Sequence, residues 1–243
     1  MNVLKSKIIP VRHLSAILQE RMFKLFSAAY DHVSHEVFAE DLSWKDEVIL
    51  LLDDSGELQG FTTLAFNPKG LWISSGDVLF SGDTIIDPAY WGSNELVRAF
   101  CERAGEWRAS SGRRLFWMLI SKGHRTFLFL PLFAKRFFPH PKNQEIVLSE
   151  VVDTASRHLF GNAWFKDRGV IHFTESLGQL KPELVEATWQ RREKTMVRYF
   201  IEKNPGFAAG DELVCLTEMD TDNLKRVALN GFELGLNRVC INA

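Results

Sequence analysis

Apolar residues at Leu14, Leu18, Met22, Leu25 and Ala29 recur at helical spacing, with Ile17 and Phe26 widening the stripe. That pattern predicts an amphipathic helix from Leu14 to about Tyr30, behind a short strand, Asn2 to Pro10, that the proline ends. A polar stretch, Asp31 to Lys45, follows and carries Phe38 with Glu36, Glu40 and Asp41. Val48 to Leu52 is a continuous apolar run, Asp53-Asp54-Ser55-Gly56 has turn chemistry, and Leu58 to Phe66 resumes as a strand, together a hairpin. After the turn Asn67-Pro68-Lys69-Gly70, the segments Leu71 to Ser75 and Val78 to Ile86 read as strand material, ended by Asp87-Pro88. Ser93 or Asn94 caps a helix to about Ala109 with Leu96, Phe100, Ala104 and Trp107 on one face; Ser110-Ser111-Gly112 stops it. Leu115 to Ile120 is apolar without alternation, as a strand covered on both faces must be.

Phe127 to Phe138 (FLFLPLFAKRFF) is helix-like but interrupted by Pro131, and it is apolar nearly all round. Such a segment is either buried by the chain that follows or lines a cavity. Pro139 and Pro141 mark a boundary, giving a core over 1–141 and an extension over 142–243. In the extension, Leu180 to Glu202 reads as mostly helical, Asn204-Pro205-Gly206 as a turn, Glu212 to Thr217 as a strand and Asn223 to Gly235 as a final amphipathic helix. No internal repeat interrupts this alternation.

Composition narrows the picture. With 46% hydrophobic and 25% charged residues the chain is an ordinary globular one, and a net charge of -2 leaves no basic surplus for nucleic acid. Cys101, Cys215 and Cys240 have no metal-ligand spacing, and their odd number suits a reducing compartment. No metal site is expected: His32 and His35, beside Asp31 and Glu36, read as a polar edge near an acceptor groove. The N-terminus has no long apolar run, and no run approaches a membrane span, so a cytoplasmic protein is expected. There are 19 Phe against 3 Tyr, several of them crowded into 127–138.

The element order to residue 141 resembles that of the GCN5-related N-acetyltransferase (GNAT) superfamily. Val48 to Phe61 (VILLLDDSGELQGF) is similar to that family's second and third strands. Thr84 to Gly92 (TIIDPAYWG) is similar to its fourth strand running into the coenzyme loop, and Ser121-Lys122-Gly123 follows the buried strand where the family splays two strands apart. The resemblance implies an α/β fold: a GNAT-like mixed central sheet with splayed central strands flanked by helices, plus a C-terminal α/β extension. It implies an acyltransferase moving an acyl group from an acyl-CoA or acyl-carrier thioester to a small-molecule or peptide amine. A long fatty acyl chain would find a lining in 127–138, where each buried methylene is worth ~0.8 kcal/mol.

By the same resemblance, Trp91, Gly92, Ser93 and Asn94 would present helix-terminal N–H groups to the coenzyme pyrophosphate, and the backbone at Ile85 and Ile86 would meet the thioester. Lys122 and Arg125 would pair with the anionic coenzyme. A carboxylate inside an apolar strand is rarely there without reason, so Asp83 is the first candidate base, with His124 at the cleft mouth the second. Two departures stand out. The loop has one glycine, Gly92, with Asn94 near where the family has another. The segment matching the last core helix holds Phe133, Phe137 and Phe138 but no tyrosine to protonate the leaving thiolate. Another group or water does so, or the domain is a silent module that binds an acyl ligand or a protein partner. The extension would shape the acceptor site or support a homodimer.

Overall fold

The computed structural model of the chain describes residues 3–143, 145–174 and 177–242, without the side chains of 240–242. The Cys240 thiol, Asn2 and Ala243 therefore lie outside the described residues. The strands are β1 (Lys5–Pro10), β2 (Tyr30–Asp31), β3 (Glu47–Leu52), β4 (Leu58–Phe66), β5 (Asp77–Ile86), β6 (Leu115–Ser121), β7 (Trp164–Phe165), β8 (Val170–Ile171), β9 (Gln179–Leu180) and β10 (Glu212–Glu218). The helices are α1 (Ala16–Ala29), α2 (His35–Ser43), α3 (Glu95–Ser111), α4 (His124–Phe127), α5 (Phe129–Phe133), α6 (Ile146–Phe160), α7 (Pro182–Trp189), α8 (Thr195–Lys203) and α9 (Arg226–Asn242).

Eight strands form one sheet in the order β1-β3-β4-β5-β6-β10-β8-β7. Neighbours are antiparallel except β5 and β6, which run parallel. That pair is joined only from Asp77↔Leu115 to Ser81↔Leu119, while β5 continues to Ile86 and β6 to Ser121. Beyond Ser81 the two strands part, leaving a wedge whose backbone groups have no ladder partner across it. The mixed sheet, its single parallel pair and this splay make the fold GNAT-like, as the element order implied.

The β4–β5 ladder explains how the wedge acquires polar chemistry. Phe61 pairs with Ile85 but Thr63 with Gly82, so two steps on β4 face three on β5, a bulge at Asp83 and Thr84. Before it, Leu79 and Ser81 face α3, Ser81 accepting from the Trp117 indole at 2.8 Å. After it, Ile85 joins the cluster under α1 and α2. The extra residue inverts the alternation, so Asp83 faces α2 instead of the apolar layer beneath α3. Asp83 pays for this with φ 45, a left-handed conformation that aspartate tolerates better than most residues.

The extension completes the sheet: β10 pairs with β6 from Leu213↔Ser121 to Glu218↔Phe116, and α9 packs on α3. A Cβ on Gly105 would strike the Phe232 carbonyl oxygen, and one on Gly235 the Glu102 carbonyl oxygen, so the two helices meet backbone to backbone. Several sequence expectations are corrected. The 127–138 segment is not one helix but α4, α5 and an extended tail. Its side chains Phe127, Leu130, Phe133 and Phe137 are buried, and Phe127 packs on Phe200 of α8 at 5.7 Å. Leu71 to Ser75 forms no strand beyond a lone Ile73↔Gly76 bridge, because turns hold it on both sides. The helix expected from Leu14 starts at Ala16, since Ser15 accepts from the Leu18 N–H as its cap. The single helical stretch expected over 180–202 is two helices, and α6 is an element that the sequence pattern does not predict.

Candidate active site in the splayed wedge

Two chambers open into the wedge, and they share Tyr30, Thr84 and Thr126. The first, about 140 Å³, lies between β5, α1, α2 and the extension. The second, about 110 Å³, lies between Ile85 and Ile86 of β5, the start of α4, and α7. A cavity of about 20 Å³ on the α3 side touches both at Thr84 and Thr126, walled by Leu96, Phe100, Phe129 and Phe133.

The first chamber holds the ionisable groups. Asp83 Oδ2 is buried without a hydrogen-bond partner. The Asp83 carboxyl is pushed up to about 8, by burial first, then by the charge of the Asp41 carboxylate beside it and by a hydrogen bond shared with that carboxylate, against the pull of Lys45 and Lys122. Lys45 is 5% exposed; its ammonium donates to Asp41 Oδ2 at 2.7 Å and sits 3.6 Å from the Trp44 ring centre. Lys122, expected with the coenzyme, turns instead into this chamber and pairs with Glu212 at 3.1 Å, because β10 brings that carboxylate alongside β6. Tyr30 borders both chambers, and its phenol is pushed well above its ordinary value by burial, then by Glu212 and Asp83. The structure thus gathers Asp41, Lys45, Tyr30 and Glu212 around Asp83, none of them singled out from sequence. The i, i+4 spacing of Asp41 and Lys45 was the only local signal.

In the second chamber His124 is buried, and its Nδ1 lies 2.8 Å from Thr188 Oγ1. Thr188 spends its own proton on the Leu184 carbonyl at 3.1 Å, so Nδ1 donates and Nε2 keeps a lone pair. Burial first, then Arg125, Arg191 and Lys194, pull the imidazole down to about 4, making it a weak base. His124 is tied to α7 and lines the chamber that excludes Asp83. The Arg125 guanidinium stacks 3.7 Å from the Trp91 ring centre, and the Trp91 indole donates to the Ile86 carbonyl at 2.9 Å. These two side chains bridge the mouth of the wedge from opposite walls.

The loop before α3 is less open than a phosphate cradle requires. Trp91 N–H goes to the Pro88 carbonyl and Ser93 N–H to the Tyr90 carbonyl, two of the four amides the resemblance assigned. Ser93 Oγ accepts from the Glu95 N–H, and the Asn94 carbonyl accepts from Arg98 to start the helix. Gly92 has φ 104 with nothing within 4 Å of a Cβ, so conformation alone requires glycine there. Among the described residues no group of three His, Cys, Asp or Glu is placed to hold a metal, and no helix is long and apolar enough to cross a membrane.

By sequence the chain matches no family model and no curated protein. Among solved structures it is similar to a probable N-acyltransferase from Enterococcus faecalis, at 14% identity and TM-score 0.38 over 56% of this chain and 33% of that one. It is also similar to a GNAT family N-acetyltransferase from Escherichia coli in complex with CoA, at 12% identity and TM-score 0.38 over 54% and 69% of the two chains. A third likeness is to an N-acyl amino acid synthase from uncultured soil microbes, at 11% identity and TM-score 0.38 over 55% and 80%. The chain spans a third of the length of the Enterococcus protein.

Proposed function

We propose that the chain is an N-acyltransferase that moves an acyl group from an acyl-CoA-type thioester to an amine in the wedge between β5 and β6. The observation that carries this reading is Asp83: a carboxyl with a buried, unpartnered oxygen, set by a strained bulge in the first chamber beside Thr84, which the two chambers share. Strain and an unsatisfied carboxyl are costly, and function is what commonly maintains such costs.

In this reading the thioester enters through the second chamber and the amine waits in the first. An ammonium docking there supplies the cation Asp83 lacks and displaces its proton to solvent. Asp83 then takes one proton from the ammonium and frees the nitrogen lone pair. The nitrogen attacks the thioester carbonyl, the N–C bond forms, and the C–S bond breaks. Backbone N–H groups of β5 beyond Ser81, which lack a strand partner on the wedge side, are suited to the carbonyl oxygen. The second nitrogen proton reaches the sulfur by way of Tyr30, whose high-lying phenol stays protonated and borders both chambers. Arg125 is a cation available to the coenzyme phosphates once it leaves Trp91, with Arg191 and Lys194 close by.

The third cavity, about 20 Å³, favours a short acyl group, since a long chain requires Phe129 and Phe133 to move. The extension belongs to the acceptor side, where Phe160, Phe173, Leu177 and Glu212 line the first chamber. A silent binding module is the second reading, favoured by the Trp91–Arg125 stack across the mouth and by the loop amides already spent. Free-thiol release from acetyl-, octanoyl- and palmitoyl-CoA with an amine present separates the two. Turnover fastest with acetyl-CoA, lost at least ~100-fold in Asp83→Asn with CoA-induced thermal stabilisation intact, is the expected result. Stabilisation without thiol release selects the silent module; neither effect with any donor overturns the coenzyme reading.

A further inference from the structure

We propose that the first chamber selects a compact hydrophobic monoamine, one ammonium on a body the size of an aromatic ring, over amino acids, polyamines and peptide amines. The proposal rests on the acyl-transfer reading of the same site and adds the chemical class of the acceptor.

Charge is the first ground. Asp41, Asp83 and Glu212 line the chamber with Lys45 and Lys122. Lys45 is bonded to Asp41 at 2.7 Å and Lys122 to Glu212 at 3.1 Å, so two ion pairs close on themselves. Asp83 is left as the carboxyl outside both ion pairs; it lies close enough to Asp41 to share its proton with that carboxylate, and no cation or other donor reaches its buried Oδ2. One ammonium completes that account. A ligand carboxylate would meet two lysines already engaged and would have to break a buried pair, which is costly. A second or third ammonium would find no free carboxylate.

Shape and polarity are the second ground. Beside the charged groups the lining is mainly apolar, with Phe26, Phe38, Trp44, Phe80, Phe160 and Phe173, and its other polar groups are a few hydroxyls such as Ser34 and Thr126. A peptide backbone would bring amide groups that these rings cannot satisfy. The chamber measures about 140 Å³. An apolar cavity of roughly 150 Å³ holds a benzene-sized guest, so one ring fills the chamber and a longer body would have to extend out of it into the wedge.

The test is calorimetric titration of the full chain, without any acyl donor, with 2-phenylethylamine, 2-phenylethanol, L-phenylalanine, spermidine and a short lysine-containing peptide. The expected result is that 2-phenylethylamine binds at least ~10-fold tighter than each of the others, and that Asp83→Asn removes that advantage over 2-phenylethanol. The alcohol comparison needs only the unaltered protein, so it decides the matter even if the variant misfolds. Tighter binding of phenylalanine, spermidine or the peptide, equal binding of amine and alcohol, or no binding of any probe overturns the proposal. Thiol release from acetyl-CoA is then followed with each probe. Binding of 2-phenylethylamine without thiol release would overturn acyl transfer while leaving the ligand class intact. Thiol release with phenylalanine but not with 2-phenylethylamine would overturn the ligand class and leave acyl transfer standing.

Discussion

In the acyl-transfer reading proposed above, Asp83 carries both the strain of the bulge and the role of base. Its proton is held to about 8 in the folded chain, whereas the unfolded chain releases it near the ordinary carboxylate value, 3.8. Between those values the native state binds more protons than the unfolded state, so this residue makes stability fall as pH rises from about 4 to about 8. Asparagine keeps a side chain that tolerates φ 45 and removes the titration. Asp83→Asn is therefore expected to match the parent in urea near pH 4 and to become more stable than it by a few kcal/mol near pH 8. Parallel urea midpoints across that range would show that Asp83 is not held protonated. Tyr30→Phe is expected to lower kcat by ~10- to 100-fold with little change in KM, because a thiolate leaves readily and needs only modest help. A KM effect alone would make Tyr30 a wall of the chamber and not a proton donor.

At the scale of elements, the bulge in β5 and the α3–α9 contact are the two devices that position everything else. The bulge adds one residue and thereby turns Asp83 from the α3 layer toward α2. Alternation read along Val78 to Ile86 gives no hint of it, since Gly82-Asp83-Thr84 is compatible with a regular strand. Only the register against Phe61 and Thr63 discloses the extra residue. Across the sheet, Gly105 and Gly235 let α3 and α9 touch through their backbones. Gly235→Ala would drive a Cβ into the Glu102 carbonyl, an atom that cannot move aside. A loss of ~1–3 kcal/mol is expected in chemical denaturation, where a helical glycine replaced by alanine would otherwise gain up to about 1 kcal/mol. A stabilised variant would mean that the helices are not so closely packed. The Trp91–Arg125 bridge is an element-scale feature too. Trp91→Ala is expected to free Arg125 and to lower the KM for the acyl donor, read from initial rates at saturating amine.

For the whole molecule, the boundary at 141 divides one continuous sheet. β10 supplies the second neighbour of β6, and Lys122 meets its counter-ion only because Glu212 arrives on β10. A chain ending at 141 would expose an apolar β6 along one edge and the α3 face that α9 covers. It is expected to lack a cooperative thermal transition; a sharp one would show that the core folds without the extension. The main elements from α1 to β6, the hairpin at 48–66, the buried central strand and the presence of a carboxylate in β5 were legible in the sequence, because each depends on local periodicity and turn chemistry. Asp83 could be singled out on the same basis, as a charge inside an apolar run. The sequence did not disclose which face Asp83 takes, where Lys122 points, or that Tyr30, Asp41 and Glu212 gather around them. Those depend on strand register, on a bulge, and on a strand whose Leu213 returns to pair with Ser121 from far along the chain. Register and long-range pairing are decided by the fit of the assembled layers, and no local window of residues contains that information.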